Sequence, residues 1–385
     1  MKYHVLHLIG SNLVGGPEKQ ILHHAEDMQG SEFEIEIGSF HDLSERPEIL
    51  VAAEKKNIPA LCLKGGVHWG MVSELERELR ARKGHLLCTH GFKANVVGYL
   101  AARRTGIMHI PCLRGWTAET WRVKLYEVME RQVLKRAPMV MCVSAKQAEQ
   151  IAVMRGNRTK PFVVRNAMLP PYSRVSNQPV TRQQLGIPAD AFVFGSVGRL
   201  SAEKGHRFMI SAFHEVCASD KERPLRLIVV GDGREQAALE KQATDLAIRE
   251  KVHFAGYQGN CDEWMRLFDC MVQPSLTEGT PNSVLEALCL QVPVVATAVG
   301  GVPDLIVHRH NGLLVPAHDA NALAQSMLEV VRYPELKAKL IAGGSSLKEE
   351  YSPETQRNRM VAVYKLAFAS RQPAPELQLP ARLKA

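Results

Sequence analysis

No segment of the 385-residue chain reaches the roughly 20 consecutive apolar residues that a membrane-crossing helix needs. The opening stretch, MKYHVLHLIGSNLVGG, is not expected to act as a signal peptide, since its apolar run is too short and passes straight into a glycine-rich turn. The eight cysteines form no C-x-x-C pair and no zinc-type spacing with histidine. Cys88, Cys112, Cys142 and Cys270 sit inside short apolar runs, the pattern of buried, reduced thiols in a cytoplasmic protein. Aromatic-stacking motifs of nucleic-acid readers are missing too, and the positive charge is spread along the chain. The net charge of +8 favours an anionic partner, whether a phosphorylated ligand, an acidic membrane face or nucleic acid, without choosing among them; the missing motifs and the spread charge rank nucleic acid last.

The apolar share of 45% and charged share of 23% are those of a soluble globular protein, and the length exceeds what one core serves. Short apolar runs alternate with amphipathic segments throughout. The first set of runs is 5–9, 33–37, 60–63, 85–89, 109–113, 139–143 and 162–164, with helix-like stretches at 18–29, 71–83, 93–104, 119–136 and 145–155. Strand–helix alternation predicts a parallel sheet with helices on both faces. Residues 166–180, rich in Pro, Ser and Asn, read as a linker. The alternation then restarts with runs at 192–198, 225–231, 252–256, 270–274, 292–297 and 312–316, and helices near 203–218, 234–247, 260–267, 282–290 and 319–332. The expected fold class is α/β, two tandem Rossmann-like doubly wound domains. They are placed at 1–168 and 169–352, with a helix at 353–370 crossing back to the first and a flexible tail at 371–385.

Open α/β sheets bind ligands beyond the carboxyl ends of their strands, and three turns there are informative. In SNLVGGPEKQ, Gly15 and Gly16 precede a helix opened at Pro17; the pattern is not G-x-G-x-x-G, which disfavours a dehydrogenase-type dinucleotide fold. A plain tight turn explains this signal equally well. In SVGRLSAEKGH, Arg199 and Lys204 flank a short loop; two cations at a strand end suit a diphosphate. In SLTEGTPNSVLEALC, Glu278 is read as ending a strand, GTPN as the turn, and Glu286 as lying one turn inside the next helix. Amides of Gly279, Thr280, Asn282 and Ser283 would face an anion, and Pro281 suits the first helical turn. Two carboxylates so placed can each bond a diol, as ribose and hexose offer.

With these segments the chain resembles the family 4 retaining glycosyltransferases, of GT-B architecture, over nearly its whole length. The family's two glutamates, with seven residues between them, match Glu278 and Glu286; GRLSAEKG matches its phosphate-binding Arg and Lys; VPVVATAVGGVPDLI, NGLLVPAHDANALA and LVGGPEKQ match further segments. The resemblance implies that Glu278 contacts the donor sugar and Glu286 the ribose. Arg199 and Lys204 would hold the diphosphate with the amides of 279–283. Gly16 would back the donor, and the base would lie near Gly256 and Tyr257. It implies an interdomain active site, retention of configuration, and no metal or cofactor beyond the nucleotide sugar; the chain has no D-x-D motif. A UDP-sugar donor and a glycan or lipid-linked acceptor, in cell-surface polysaccharide or lipopolysaccharide synthesis, are the expected substrates. One departure stands out: PCLRGWT places Arg114 where many members carry a histidine, and His90 in CTHGFKAN is a second cleft candidate. A nucleotide-sugar 2-epimerase on the same architecture, or a non-enzymatic sugar- or nucleic-acid-binding homologue, are the alternatives.

Two basic helix-like stretches bear on location. SELERELRARKGH carries Arg77, Arg80, Arg82 and Lys83, and WRVKLYEVMERQVLKR mixes basic and apolar residues. Glu74, Glu76, Glu78, Glu127 and Glu130 dilute that charge, which favours a solvated face over docking on anionic lipid. The expected site of action is the cytoplasm, with peripheral contact at the inner membrane face as the alternative.

Overall fold

The computed structural model describes residues 2–11, 14–41, 46–64, 68–82, 86–116, 121–156, 158–169 and 179–370. Residues 170–178 of the expected linker, Lys83 and the expected tail 371–385 lie outside the described residues.

Two parallel α/β units follow one another. The first runs β1 (Tyr3–Ile9), α1 (Gly16–Asp27), β2 (Phe33–Phe40), α2 (Glu48–Lys55), β3 (Ala60–Leu63), α3 (His68–Ala81) and β4 (Leu86–His90). It continues with α4 (Phe92–Thr105), β5 (Met108–Leu113), α5 (Trp121–Arg136), β6 (Met141–Cys142), α6 (Ala145–Arg155) and β7 (Phe162–Val163). The second comprises β8 (Phe192–Val197), α7 (His206–Ser219), β9 (Leu225–Val230), α8 (Gln236–Asp245), β10 (Val252–Gly256), α9 (Cys261–Met265) and β11 (Cys270–Gln273). Then come α10 (Asn282–Cys289), β12 (Val294–Thr297), α11 (Val302–Leu305), β13 (Leu313–Val315), α12 (Ala320–Arg332), α13 (Pro334–Gly344) and α14 (Pro353–Ala369).

The sheets are ordered β3-β2-β1-β4-β5-β6-β7 and β10-β9-β8-β11-β12-β13, with every strand pair parallel. Each order reverses once, between β1 and β4 and between β8 and β11. A doubly wound sheet opens its ligand crevice at that reversal. Hence the loops after β1, β4, β8 and β11 are where a site must form.

Strands such as VLHLI and LRLIVV are almost continuously apolar because helices cover both faces. Local signals set several helix ends. Ser144 caps α6 through the Gln147 amide and Asp319 caps α12 through that of Ala322. The last helix, α14, buries Met360, Val363, Tyr364 and Ala367 in the core beneath β1, β2 and α1 of the first unit. Its polar side adds Arg357–Asp27 and Lys365–Glu32 pairs.

Three helices, α2, α11 and α13, fall where the sequence pattern suggested none; each is short, at most 11 residues, too few for a clear periodicity. The expected continuous helix 203–218 is broken. Residues Ala202–Lys204 form a 3₁₀ turn, and Gly205 adopts φ +66 before α7 begins. A Cβ on Gly205 would lie 2.2 Å from the Pro274 carbonyl, so glycine lets this turn lie against the loop after β11. The expectation that Glu278 ends a strand is corrected: β11 stops at Gln273, and Glu278 lies in the loop before α10.

At the opposite end of the second sheet, Asp269 fastens three elements. It accepts from the Val193 amide at 3.0 Å, from Arg182 at 2.8 Å and from Lys337 at 2.9 Å. Burial alone would raise its pKa; the Val193 amide and the two cations outweigh burial and hold it below the ordinary carboxylate value. A depressed folded pKa stabilises above the unfolded value and is lost as pH falls through the folded one. Asp269→Asn should therefore cost about 1–3 kcal/mol at pH 7. In urea denaturation that difference from wild type should shrink steadily as the pH is lowered towards 3.

Candidate active site

On the second unit, the turn held by Gly205 brings Lys204 to Glu278, Nζ to Oε1, at 2.6 Å. Two more donors meet the same oxygen: Gln273 Nε2 at 2.9 Å and Ser275 Oγ at 2.7 Å. Ser283, in the first turn of α10, donates to Gln273 Oε1 at 3.0 Å and completes the support. The Glu278 side chain is only 7% exposed, so this convergence fixes a nearly dehydrated carboxylate in one orientation. Arg199 does not share it: its guanidinium is 62% exposed and lies 3.4 Å from Glu203. The motif's two cations thus point differently, Lys204 inward and Arg199 outward.

The first unit closes over this loop. The N-terminus of α1 meets that of α10, where a Cβ on Gly16 would lie 2.2 Å from Asn282 Nδ2. The Asn282 side-chain oxygen accepts from Gln20 at 3.2 Å and from Asn166 at 3.0 Å. Thr280 donates to the Val143 carbonyl at 2.8 Å, and its own carbonyl accepts from Asn166 at 3.3 Å. A Cβ on Gly279 would lie 2.1 Å from the Arg114 carbonyl, so the two facing loops touch through backbone. Pro281 caps α10 rather than opening it. The amides that start the helix have no intrahelical partner and, with the helix dipole, favour an anion.

Gly15 donates its amide to Glu18 at 3.0 Å at the start of α1. Glu286 lies one turn into α10, with a pKa raised by burial and opposed by Lys19 of α1. Gly256 ends β10 in a left-handed turn, and the next residue, Tyr257, is 55% exposed. The glutamates, Lys204, the 279–283 loop and Gly16 therefore gather at the two sheet reversals.

His90 is buried at the end of β4, and Arg114 reaches its Nδ1 from two guanidinium nitrogens at 3.1 and 3.3 Å. Arg114 also donates to Asn166 at 3.4 Å. The adjacent Trp116 is tied by its indole N–H to Glu130 at 2.8 Å, and Asn95 holds the other Glu130 oxygen at 2.6 Å. Gln20, Gln273, Ser275 and Asn166 were not singled out from the sequence. Gln273 and Ser275 stand within five residues of Glu278, a proximity that could have flagged them; Gln20 and Asn166 carry no local signal.

The basic helices resolve differently from each other. In α3, Arg77 and Arg80, with Arg82 just past its end, pair with Glu74, Glu76 and Glu78. In α5, Glu127 and Glu130 turn inward and are buried, so they do not dilute the outer face as expected. That face carries Lys124, Leu125, Val128, Arg131, Gln132 and Lys135, all exposed. No helix among the described residues is long and apolar enough to cross a membrane. Among the described residues, no three His, Cys, Asp or Glu side chains gather as a metal site.

Two doubly wound units that meet at their sheet reversals around a polar cleft form the GT-B architecture. Family models agree along the chain: residues 15–167 match the glycosyl transferase 4-like domain, and 177–346 match glycosyl transferases group 1. An uncharacterized glycosyltransferase of Methanocaldococcus jannaschii is 37% identical over 124 residues, 32% of this chain and 30% of that one. An Escherichia coli enzyme, UDP-Gal:alpha-D-GlcNAc-diphosphoundecaprenol alpha-1,3-galactosyltransferase, is 24% identical over 71% of this chain and 73% of its own. Anabaena HepE, solved with UDP and glucose, superposes with a TM-score of 0.80 at 21% identity, over 94% of this chain and all of that one. The chain belongs to the family 4 glycosyltransferases.

The Gly16–Asn282 approach makes a direct prediction. Gly16→Val should overpack the contact and cost about 1–3 kcal/mol in urea denaturation. With Asn282→Gly added, the double variant should be less destabilised than the sum of the two single losses, as expected for touching residues.

Proposed function

We propose that this glycosyltransferase moves a sugar, with retention of anomeric configuration, from a UDP-type nucleotide sugar to a glycan or lipid-linked acceptor in cell-surface polysaccharide or lipopolysaccharide assembly. The observation that carries the reading is the Lys204–Glu278 pair beside the free amides of α10. It offers a fixed carboxylate for sugar hydroxyls next to a cation and helix N-terminus suited to a diphosphate. The UDP and glucose held by HepE, and the UDP-sugar and lipid diphosphate in the E. coli enzyme's name, favour the same donor and acceptor classes.

In this mechanism the acceptor hydroxyl attacks the anomeric carbon on the face the UDP leaves. The carbon–oxygen bond to the β-phosphate breaks, and the departing phosphate oxygen takes the acceptor's proton. Lys204 and Arg199 stabilise the charge growing on that phosphate, with the amides of Gly279, Thr280, Asn282 and Ser283. Glu278 orients the sugar, Glu286 holds the ribose diol, and Gly15 and Gly16 let the donor lie close to the start of α1. Tyr257 and the backbone at Gly256 face the base. No metal or further cofactor takes part.

Two measurements test this. A thermal-shift panel of UDP, GDP, ADP and their sugars should show its largest stabilisation with the UDP series, since a ligand of the folded state raises the melting temperature by mass action. With the selected donor, Lys204→Ala should lower kcat about 10²–10³-fold, the usual loss of one charge-stabilising donor. Loss of one of the three donors to the buried Glu278 carboxylate should also lower its melting temperature, so turnover is compared where circular dichroism shows the variant folded; EDTA should leave wild-type turnover unchanged. Near-normal kcat in Lys204→Ala at saturating donor would sink the assignment.

The outer face of α5 favours a second reading, about place: a cytoplasmic enzyme that rests on anionic lipid. Its basic and apolar side chains share one face without an acidic one. Flotation with phosphatidylglycerol vesicles should capture the protein at low salt, and the double change Lys124→Glu with Lys135→Glu should abolish capture. Equal recovery with neutral vesicles would reject it.

A further inference from the structure

Behind the cleft, the first unit buries a row of polar rings where apolar packing would be expected. His7, His24, His90 and Tyr364 are each at most 3% exposed, inside or beside the core beneath α14. They are linked in series. Arg114 reaches His90 Nδ1 at 3.1 and 3.3 Å; His90 Nε2 lies 2.9 Å from His7 Nδ1. His7 Nε2 lies 2.7 Å from the Tyr364 hydroxyl, which lies 2.9 Å from His24 Nε2.

The direction of every bond follows from one end. A guanidinium only donates, so His90 Nδ1 must be a bare acceptor. Burial and the neighbouring Arg114 hold His90 and His7 well below the usual imidazole pKa, and burial takes His24 to about 3, so the rings are neutral. Neutral His90 then carries its proton on Nε2 and donates to His7 Nδ1. His7 in turn carries its proton on Nε2 and donates to the Tyr364 oxygen. The Tyr364 hydroxyl donates to His24 Nε2, which leaves the His24 proton on Nδ1. That nitrogen is buried without a partner, so the row ends there. Reversing a link between Arg114 and Tyr364 would set two donors face to face; reversing the last would leave both the Tyr364 O–H and the bare His24 Nδ1 without partners, one more unpaired group than the row as drawn.

At its cleft end the row continues from Arg114 to Asn166, and from Asn166 to Asn282 and the Thr280 carbonyl at the start of α10. We infer that Tyr364 is a positioning residue for the reaction: through His7 and His90 it fixes the Arg114 guanidinium at the interdomain cleft from the C-terminal helix. A phenyl ring would fill the same space, so packing alone does not call for the hydroxyl. From Arg114 to Tyr364 every polar group of the row is paired, which selects one geometry; with its acceptor removed, the His7 N–H is left unpaired and the row must rearrange. This inference rests on the transferase reading only for its kinetic consequence.

The test uses the full-length chain labelled with ¹⁵N-histidine. In wild type, imidazole spectra should show protons on Nε2 of His90 and His7 and on Nδ1 of His24. Arg114→Met should release His90, whose proton then divides between its two nitrogens. Tyr364→Phe should lower kcat for UDP release from the donor chosen by thermal shift about 10- to 100-fold, the scale of a misplacement near 1 Å, with KM little changed. Val363→Ala, which thins the same helix packing without touching the row, should lower the melting temperature and leave kcat unchanged. A proton on His90 Nδ1 in wild type, or wild-type kcat in Tyr364→Phe, would overturn the inference. The spectra stand even if no donor is turned over, so failure of the transferase reading would be told apart.

Discussion

A carboxylate taken nearly out of water is costly unless donors meet it, and Glu278 is met by three at one oxygen. Each donor comes from a different constraint. Lys204 arrives because Gly205 takes a left-handed turn against Pro274. Gln273 is the last residue of β11, and Ser275 is the second residue of the loop that follows. The reversal between β8 and β11 is what sets these three side by side. The first unit then presses on the same loop through Gly16, Asn166 and Val143. Fold, cleft and carboxylate are thus one arrangement, and the glycosyltransferase chemistry is read from it.

Much of this was legible beforehand, for a physical reason. Buried parallel strands make continuous apolar runs, and the turns at their carboxyl ends hold glycine, proline and charge in short fixed spacings. Gly16, Lys204, Glu278 and Glu286 could be named because their significance is local. What escaped notice is non-local or short. The His7–Tyr364 bond spans 357 positions and the His24–Tyr364 bond 340, so no window of sequence contains either pair. Short α2, α11 and α13 offer too few turns for a period to show. Counting charge along α5 misjudged its outer face, because Glu127 and Glu130 face inward and are buried, Glu130 accepting from Asn95 and Trp116 rather than from water.

Arg114 illustrates how one exchange reshapes its surroundings. A neutral histidine there would present one donor and one acceptor; an arginine demands acceptors only. Asn166 and His90 supply them without a carboxylate, and the demand passes inward to α14. The C-terminal helix, which packs on the first unit although it follows the second in the chain, thereby reaches the cleft through polar as well as apolar contacts.

The central claim is that the nucleotide diphosphate sits between the Gly205 turn and the start of α10. Amide hydrogen exchange with and without saturating UDP tests it most directly. The account predicts slowed exchange in residues 198–205 and 275–286, with little change at Asp269 and the opposite edge of that sheet. Protection confined to other segments, or none in those two despite saturation, would contradict it.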